Sequence, residues 1–401
     1  MGGAGSDIFI DLNWELAQEG VEKWPYPPMS WALERAAEAL LQHPDIVLNI
    51  RVPALPLDAW DPQVYIQTLI REWELYRVHF PKPAGLAVLW MEAGFALLAS
   101  PFRWKELLEV LRRSLSNWSV GLRILEVFPL RTTEDQLFRL WELGFQQLRL
   151  NLVEDGEALL SAQNFRSALS LVRQARKIGY QSIRALWRLD HLAETPNPSE
   201  AMDHLISLRP DVIEWPDWLY MSPVYTKRRK EVRDVLLPLG YEEIAPACFA
   251  LSHDPLYKAY ETGDLSFGLR GYRPRYSKLT LGLGANARSD TWNSMAHNEA
   301  EINTYQEKVC GGELAITEGI TWNEEASLMR LHTDNLRCLG EIQWGEPEFQ
   351  CPALWAALDR LAPLEAEGLI EKYSDVGLVL TEKGKREWER VLFHFSTSTK
   401  S

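Results

Sequence analysis

The stretch LRILEVFPLRTTEDQLFRLWELGFQQLRL, residues 122–150, contains two short β-type runs with an amphipathic segment between them. The runs Gly121–Val127 and Gln147–Leu152 predict β-strands. Between them, Glu134–Leu143 predicts a helix, and Gly144 follows where a left-handed C-terminal cap is needed. The stretch is therefore a strand–helix–strand unit, and such units in series build parallel sheets.

The same alternation extends on both sides of this unit. Further apolar runs predict strands at Ile46–Val52, Gly85–Met91, Ser182–Leu186 and Asp211–Trp215. Amphipathic stretches between them predict helices at Gln63–Val78, Trp104–Leu115 and Phe165–Ile178. Six strand–helix units in series predict an α/β fold, a partial TIM-like (βα)6 barrel whose site lies at the carboxyl ends of its strands.

The pattern changes after about residue 240. Tyr241–Ala250 predicts one more strand, Leu279–Ala285 is a glycine-rich apolar run, and residues 299–309 and 323–339 predict helices. The end of the chain is typical of a winged helix, which predicts helix Ala353–Glu367, strands Leu369–Tyr373 and Leu378–Leu380, and helix Glu382–Phe393. We therefore divide the chain into an N-terminal extension (1–45), a barrel (46–250), a C-terminal region (251–345) and a winged-helix-like end (346–401).

Composition limits the classes of partner. The formal net charge is −14, which argues against general affinity for nucleic acid or an anionic membrane. The first twenty residues lack the basic and apolar segments of a secretory signal, and no run of about 18 apolar residues predicts membrane insertion. Four dispersed cysteines do not indicate a disulfide framework, so we expect a cytoplasmic protein.

Several segments carry a family resemblance. They are residues 122–150, SALSLVRQARKIGY (167–180), LGYEEIAPACFA (239–250), FGLRGY (267–272), LTLGLGANARSD (279–290) and LDRLAPLEAEGLIE with LVLTEKGK (358–385). In this order they resemble the oxygen-independent coproporphyrinogen III oxidases and their heme chaperone relatives over about residues 45–395. The resemblance implies a barrel of the radical S-adenosylmethionine (SAM) type followed by a C-terminal helical and winged-helix-like region.

The chain departs from this family at the motifs for the iron–sulfur cluster and SAM. The loop that holds three cysteines in the family reads IRVPALPLDAWDP (50–62), and the glycine-rich motif that follows the next strand reads WMEAGFA (90–96). The cysteines of this chain are Cys248, Cys310, Cys338 and Cys351, too far apart for a CxxxCxxC loop. We therefore expect neither a [4Fe–4S] cluster nor SAM, with heme or porphyrin as the alternative ligand.

A first set of candidate site residues lies at the expected barrel mouth. Glu126 survives from the family's Glu-Val-Asp/Asn-Pro motif and ends a predicted strand. Arg149 and Arg184 lie in neighbouring strands, and a buried arginine needs a carboxylate, so we expect Glu126 to pair with one of them where SAM would lie. The other mouth candidates are Asp190, His191 and Asp217.

A second set of candidates is for tetrapyrrole binding, which the resemblance assigns to the C-terminal half. His253 and Cys248 are the candidate iron ligands, although most loop histidines are merely solvated and a buried inert thiol is the commoner role of such a cysteine. Tyr272, Arg273 and Arg275 belong to the segment RGYRPRYSK, whose arginines suit porphyrin propionates or the acidic face of a partner.

Two functional hypotheses follow. The first is a cluster-free, SAM-independent pseudoenzyme of this family, which acts either as the non-catalytic partner of an active, cysteine-containing radical SAM homologue or as a heme- or porphyrin-binding protein. The second is an enzyme with repurposed acid–base chemistry at the barrel mouth, with Glu126, Asp190 or His191 as the proton-transferring group.

Overall fold

A strand–helix alternation fills the first half of the chain, as predicted. The computed structural model describes residues 20–52, 60–92, 94, 101–154, 157–158, 162–187, 198–215, 223–274, 277–373 and 376–396. Its elements up to residue 236 are β1 (Val21–Pro25), α1 (Met29–Gln42), β2 (Asp45–Ile50), α2 (Pro62–Arg77), β3 (Gly85–Met91), α3 (Pro101–Ser114), β4 (Leu122–Val127), α4 (Glu134–Glu142), β5 (Gln147–Asn151), β6 (Val153–Glu154), β7 (Glu157–Ala158), α5 (Ala162–Ile178), β8 (Ser182–Leu186), α6 (Pro198–Leu208), β9 (Val212–Glu214) and α7 (Pro223–Leu236).

The second half of the chain has more antiparallel pairing. Its elements are β10 (Tyr241–Ala245), β11 (Cys248–Leu251), α8 (Pro255–Thr262), β12 (Ser266–Gly268), β13 (Gly271–Arg273), β14 (Leu279–Leu283), β15 (Arg288–Asp290), β16 (Ser294–Asn298), α9 (Ile302–Cys310), β17 (Ile316–Trp322), α10 (Glu324–Leu339), β18 (Glu341–Gln343), α11 (Pro352–Ala366), β19 (Ile370–Tyr373), β20 (Gly377–Leu380), α12 (Glu382–Arg386) and α13 (Trp388–Ser396). The last strands form a separate antiparallel sheet in the order β18-β20-β19.

One large sheet organises the molecule. Its strand order is β1-β17-β16-β15-β14-β2-β3-β4-β5-β8-β9-β11-β10. Every pairing from β14 through β2, β3, β4, β5 and β8 to β9 is parallel. The predicted α/β fold, with its parallel strands in chain order, is confirmed. Because all these strands run in one direction, their carboxyl ends share one edge, where a site is expected.

Two predicted elements differ from the structure, and one apolar run forms a strand that was not predicted. Tyr241–Ala250 is a hairpin rather than one strand, because the chain reverses at Pro246 and Ala247, and Ala247 has a positive φ of 57°. Leu279–Ala285 contributes β14, which pairs parallel with β2. The terminal helix is broken at Glu387, whose φ of −120° and ψ of 33° are not helical, so two short helices replace one.

Local sequence explains why α4, predicted from residues 122–150, forms a helix. Thr133 caps α4 by accepting from the backbone N–H of Gln136, while the Gln136 side chain accepts from the Thr133 N–H. Leu137 and Leu140 on its inner face are buried. No helix among the described residues has the length and apolar character that crossing a bilayer requires.

Glu72 ties the barrel to the C-terminal region. Glu72 is a residue of α2 and is fully buried. It accepts hydrogen bonds from the Tyr305 hydroxyl (2.6 Å), the Gly284 backbone N–H (2.9 Å) and the Asn298 amide (2.7 Å). Burial raises the pKa of Glu72 to about 7, and the three hydrogen bonds only partly oppose that increase.

The raised pKa of Glu72 predicts a pH-dependent stability. The folded state holds this proton more tightly than the unfolded state, so the contribution of Glu72 is most favourable below pH 4.5 and is lost as the pH rises to about 7. Between these pH values we expect the free energy of unfolding of the wild type to fall by roughly 3 kcal/mol, and that of Glu72→Gln not to show this fall. Urea unfolding of both proteins from pH 4.5 to 8 measures it. Glu74→Gln, on the more exposed side of α2, is the matched control, and equal pH slopes in the Glu72→Gln protein and the wild type would contradict the assignment.

Candidate functional site

A row of charged residues crosses the inner face of the parallel strands. Glu126 of β4, Arg149 of β5 and Arg184 of β8 are direct register partners. Register partners on adjacent strands point to the same face of a sheet. Glu214 of β9 extends the row, and the sequence analysis missed it, although it is an acidic residue in the apolar run DVIEW.

The members of this row contact one another. Arg149 Nη1 lies 3.0 Å from Glu126 Oε1, and Arg149 Nη2 lies 3.4 Å from Glu214 Oε2. Arg184 Nη1 lies 4.0 Å from Glu214 Oε1 and donates to the Tyr272 carbonyl at 3.0 Å. The predicted Glu126–Arg149 pair is therefore present. Two guanidinium groups face two carboxylates, so the charges of this network balance.

Aromatic and amide groups complete the charge network. The indole N–H of Trp90 donates to Glu126 Oε1 at 2.9 Å, and the Arg149 guanidinium lies 5.1 Å from the centre of that ring. Arg184 Nη2 donates to the side chain of Gln147 at 3.1 Å. None of the four charged side chains is more than 3% exposed. Burial raises the pKa of Glu214, while Arg149 and then Arg184 lower it.

A second ion cluster lies where strands β2 and β3 end, and the sequence analysis missed it too. Glu92 directly follows β3 and pairs with Arg270, while Arg51, directly after β2, lies 3.7 Å from the same carboxylate. All three are buried. They lie at the carboxyl edge of the sheet, and Arg51 and Glu92 belong to segments 50–62 and 90–96, which correspond to the cluster and glycine motifs of the resembled family. The signal was present in the sequence as charges directly following two apolar strands.

The described tetrapyrrole candidates differ in their surroundings. The side chain of His253 is 61% exposed, and its Nε2 lies 2.9 Å from Asp211, which precedes β9 at the amino edge of the sheet. Cys248 is fully buried, and burial raises the pKa of its thiol well above the usual range. Tyr272 is buried and donates to the Pro246 carbonyl at 2.9 Å. Cys248 and Tyr272 belong to one buried cluster, whereas His253 lies at the surface, and the assignment of these residues to tetrapyrrole binding stays a prediction.

The remaining candidates are placed as follows. Arg273 is buried and donates to Ser266, Thr280 and the Ser277 carbonyl. Asp190, His191, Asp217 and Arg275 lie outside the described residues. Their assignment to a barrel mouth or to a propionate site stays a prediction.

Relatives of known identity support the resemblance. No protein-family model matches the chain. An oxygen-independent coproporphyrinogen III oxidase of Pseudomonas aeruginosa is 25% identical over 353 residues, which cover 80% of this chain and 76% of that protein. Cereibacter sphaeroides coproporphyrinogen III oxidase, anaerobic 1, is 22% identical over 341 residues, 76% of this chain and 75% of that protein. The predicted relationship to these oxidases is confirmed.

The fold is that of a solved relative. The structure of Escherichia coli coproporphyrinogen III oxidase, described as a radical SAM enzyme, superposes with a TM-score of 0.76. The match covers 96% of this chain and 98% of that chain at 20% identity. At this identity the likeness establishes the fold, and it includes the C-terminal region as well as the barrel.

These relatives correct one expectation. The sequence-based prediction of neither a [4Fe–4S] cluster nor SAM, with heme or porphyrin instead, is wrong. The chain is related to radical SAM enzymes, a class that uses both a cluster and SAM. The prediction was drawn from the motifs of this chain alone and did not consider the cofactors that its relatives use.

The residues of this chain do not by themselves fit a cluster. Residues 1–247 contain no cysteine, and of the four that follow, Cys248, Cys338 and Cys351 are buried while Cys310 is exposed. Across the described ranges, no three His, Cys, Asp or Glu side chains converge in a way that could hold a metal ion. A cluster of this class needs three thiolates from one loop. We therefore derive no reaction step through a cluster bound to this chain.

Proposed function

We propose that this relative of the oxygen-independent coproporphyrinogen III oxidases is the non-catalytic subunit of a radical SAM enzyme complex. A cysteine-containing homologue would be the other subunit and would hold the cluster and SAM. The role of this chain would be to bind and support that partner. The complex would then use the cofactors of the family although one of its subunits lacks the thiolates.

The observation that carries the proposal is the buried network at the carboxyl half of the barrel strands. Glu126, Arg149, Arg184 and Glu214 bind one another across four strands. Arg51, Glu92 and Arg270 form a second cluster at the ends of β2 and β3. Opening these ion pairs for a ligand would leave buried charges without their partners, which is costly. This favours a supporting role over a role in SAM cleavage.

Isolation of the complex tests the proposal. The tagged full-length chain is purified anaerobically from its native host, and the co-eluting proteins, iron, sulfide and SAM cleavage are measured. We expect one homologous partner in stoichiometric amount, with the CxxxCxxC loop, and cluster absorbance near 400 nm that follows the partner when the subunits are separated. If this chain alone, reconstituted with iron and sulfide, binds a cluster and cleaves SAM, the proposal is wrong.

A variant of the buried network sharpens this test. Glu126→Gln combined with Arg149→Met removes one charge of each sign from the network and keeps its net charge. In the complex, a non-catalytic subunit with these substitutions leaves the rate of SAM cleavage unchanged, provided that the partner still co-elutes. A fall in that rate at unchanged co-elution would place the barrel of this chain in the reaction.

A second candidate function rests on Glu214. Burial raises the pKa of its carboxyl group, and a raised carboxyl pKa is a common property of a general acid. This supports the alternative of an acid–base enzyme that works at the barrel mouth. This enzyme would be distinguished from a supporting subunit by an activity of the isolated chain that Glu214→Gln abolishes. The pH dependence of that activity in the wild type should follow the titration of Glu214.

A further inference from the structure

A cleft opens between the carboxyl-terminal half of α10 and the separate sheet at the end of the chain. It has a volume of about 400 Å³, within the range of about 300–1,000 Å³ for small-molecule sites. Its walls come from α10, from β18 and the segment 345–349 that follows it, and from Val376 directly before β20. We call it the β18 cleft. Because β18 belongs to the sheet β18-β20-β19 and not to the large sheet, the cleft is distinct from the charge network of the barrel.

Apolar side chains form much of the wall of the β18 cleft. Leu331 and Leu339 come from one face of α10, as their spacing along the helix requires, and Ile342, Phe349 and Val376 come from the end of the chain. Two of these side chains remain in contact with water, Leu339 at 36% exposed and Val376 at 40%. Covering exposed apolar surface is favourable, so the cleft suits the apolar body of an organic ligand.

Hydrogen bonds hold the segment after β18 that closes one side of the cleft. The Trp344 backbone N–H donates to the Val376 carbonyl at 2.7 Å, and the Gln350 side chain donates to the Trp344 carbonyl at 2.9 Å. His332 Nε2 lies 2.9 Å from the Phe349 carbonyl oxygen. This segment is therefore tied to α10 and to the start of β20 without a ligand, and a site formed in advance loses little entropy when a ligand binds.

His332 contributes a buried hydrogen-bond acceptor to the wall of the cleft. A carbonyl oxygen only accepts, so Nε2 of His332 carries the proton that it donates to Phe349. Burial lowers the pKa of His332, which keeps the ring neutral at neutral pH and leaves a lone pair on Nδ1. The residue is 1% exposed, and its Nδ1 is buried without a hydrogen-bond partner among the described residues. A ligand that donates a hydrogen bond would satisfy this acceptor.

The charged side chains in the wall of the β18 cleft are negative. Glu341, the first residue of β18, and Glu346 supply carboxylates, and none of the described residues that line the cleft is a lysine or an arginine. Within the described part of the chain, neither glutamate forms an ion pair. Asn335 and Gln343 add side-chain amides, whose oxygens also accept hydrogen bonds. These carboxylates would attract an ammonium group and repel an anion.

We propose that the β18 cleft binds a small organic amine, with its ammonium group toward Glu341 and Glu346 and its apolar body against Leu339, Phe349 and Val376. A ring N–H or a hydroxyl on that body would satisfy Nδ1 of His332. The charge of the ligand provides the specificity, because apolar walls alone would accept many organic molecules of this size. The site requires neither the cluster nor the partner of the proposed complex.

Calorimetric titration of the isolated full-length chain with tryptamine tests this site independently of any partner. Tryptamine joins an ammonium group to an apolar ring system with one N–H donor, whereas tryptophol and indole-3-propionate have a hydroxyl and a carboxylate in place of the ammonium group. At neutral pH and constant ionic strength we expect one saturable site for tryptamine, about tenfold weaker binding of tryptophol, and no binding of indole-3-propionate. Absence of saturable tryptamine binding, or binding of either analogue as tight as that of tryptamine, overturns the proposal.

Glu346→Gln is the decisive variant, because Glu346 is exposed and its side chain caps no helix, so its loss should not prevent folding. We expect it to weaken tryptamine binding about fivefold, the effect of one partly exposed ion pair, and to leave tryptophol binding unchanged. Glu348→Gln is the matched control, since Glu348 is also exposed but does not line the cleft, and it should bind tryptamine like the wild type. Equal affinity in Glu346→Gln and the wild type, or an equal loss in both variants, overturns the assignment.

Discussion

Replacing Arg149 with methionine is expected to lower the free energy of unfolding by roughly 3–5 kcal/mol, the usual effect of breaking a buried ion pair from one side. Arg149 bridges two carboxylates, at 3.0 Å to Glu126 and 3.4 Å to Glu214. Without the guanidinium, both carboxylates stay in a site that water does not reach, and the remaining cation, Arg184, lies 4.0 Å from Glu214. Urea unfolding at pH 7 measures the loss.

Two further variants separate the contribution of the buried ion pairs of Arg149 from the other effects of the substitution. Arg139→Met removes an exposed pair with Asp135 and should change stability by less than about 1 kcal/mol. Glu126→Gln combined with Arg149→Met removes the facing charge as well, so it should recover part of the loss. If Arg149→Met costs no more than Arg139→Met, the barrel does not depend on the ion pairs of Arg149.

Gly284→Ala is the other substitution with a large expected effect, a loss of roughly 3 kcal/mol or more from backbone strain together with overpacking. Gly284 has a φ of +113°, and a methyl group there would lie 2.4 Å from the Arg51 carbonyl oxygen and 2.6 Å from the Tyr65 hydroxyl. Its N–H also donates to Glu72, so displacement of this turn would disturb the link between α2 and the C-terminal region.

A glycine in open space isolates the steric part of that loss. Gly240 has a φ of +88°, and an added methyl group there would have no atom within 4 Å. Gly240→Ala should therefore cost only the strain of a positive φ, about 1 kcal/mol. Thermal and urea unfolding of the two variants measure the difference, and equal losses would mean that the close approach to Arg51 is relieved without cost.

Much of the parallel sheet could be predicted because local sequence determines it. Gly85–Met91 and Ser182–Leu186 have their predicted bounds. Gly85–Met91 is a continuous apolar run, which is typical of a strand buried on both faces. The pairing of β14 with β2 could not be predicted, because the partners are distant in sequence and a parallel neighbour leaves no local pattern. The turn inside Tyr241–Ala250 was missed because alanine seldom adopts a positive φ.

The candidate site was predicted in part for the same reason. Glu126 and Arg149 lie on consecutive strands at matching positions, so their contact follows from the strand order. Glu72 escaped notice although it lies on the same face of α2 as Tyr65, Leu69 and Tyr76, at the helical spacing that buries a side chain. A carboxylate in such a position indicates hydrogen-bond donors from elsewhere in the fold, and sequence alone does not identify them.

The parallel pairing of β2 with β14 also has a consequence for synthesis on the ribosome. Ile46 pairs with Leu279, which is about 230 residues later in the chain. At translation rates of roughly 5–20 residues per second, β2 waits for roughly ten to fifty seconds before its partner emerges. During that interval one edge of the nascent sheet has unpaired backbone groups, and such edges are templates for aggregation. We therefore expect the growing chain to depend on chaperones until β14 has left the ribosome.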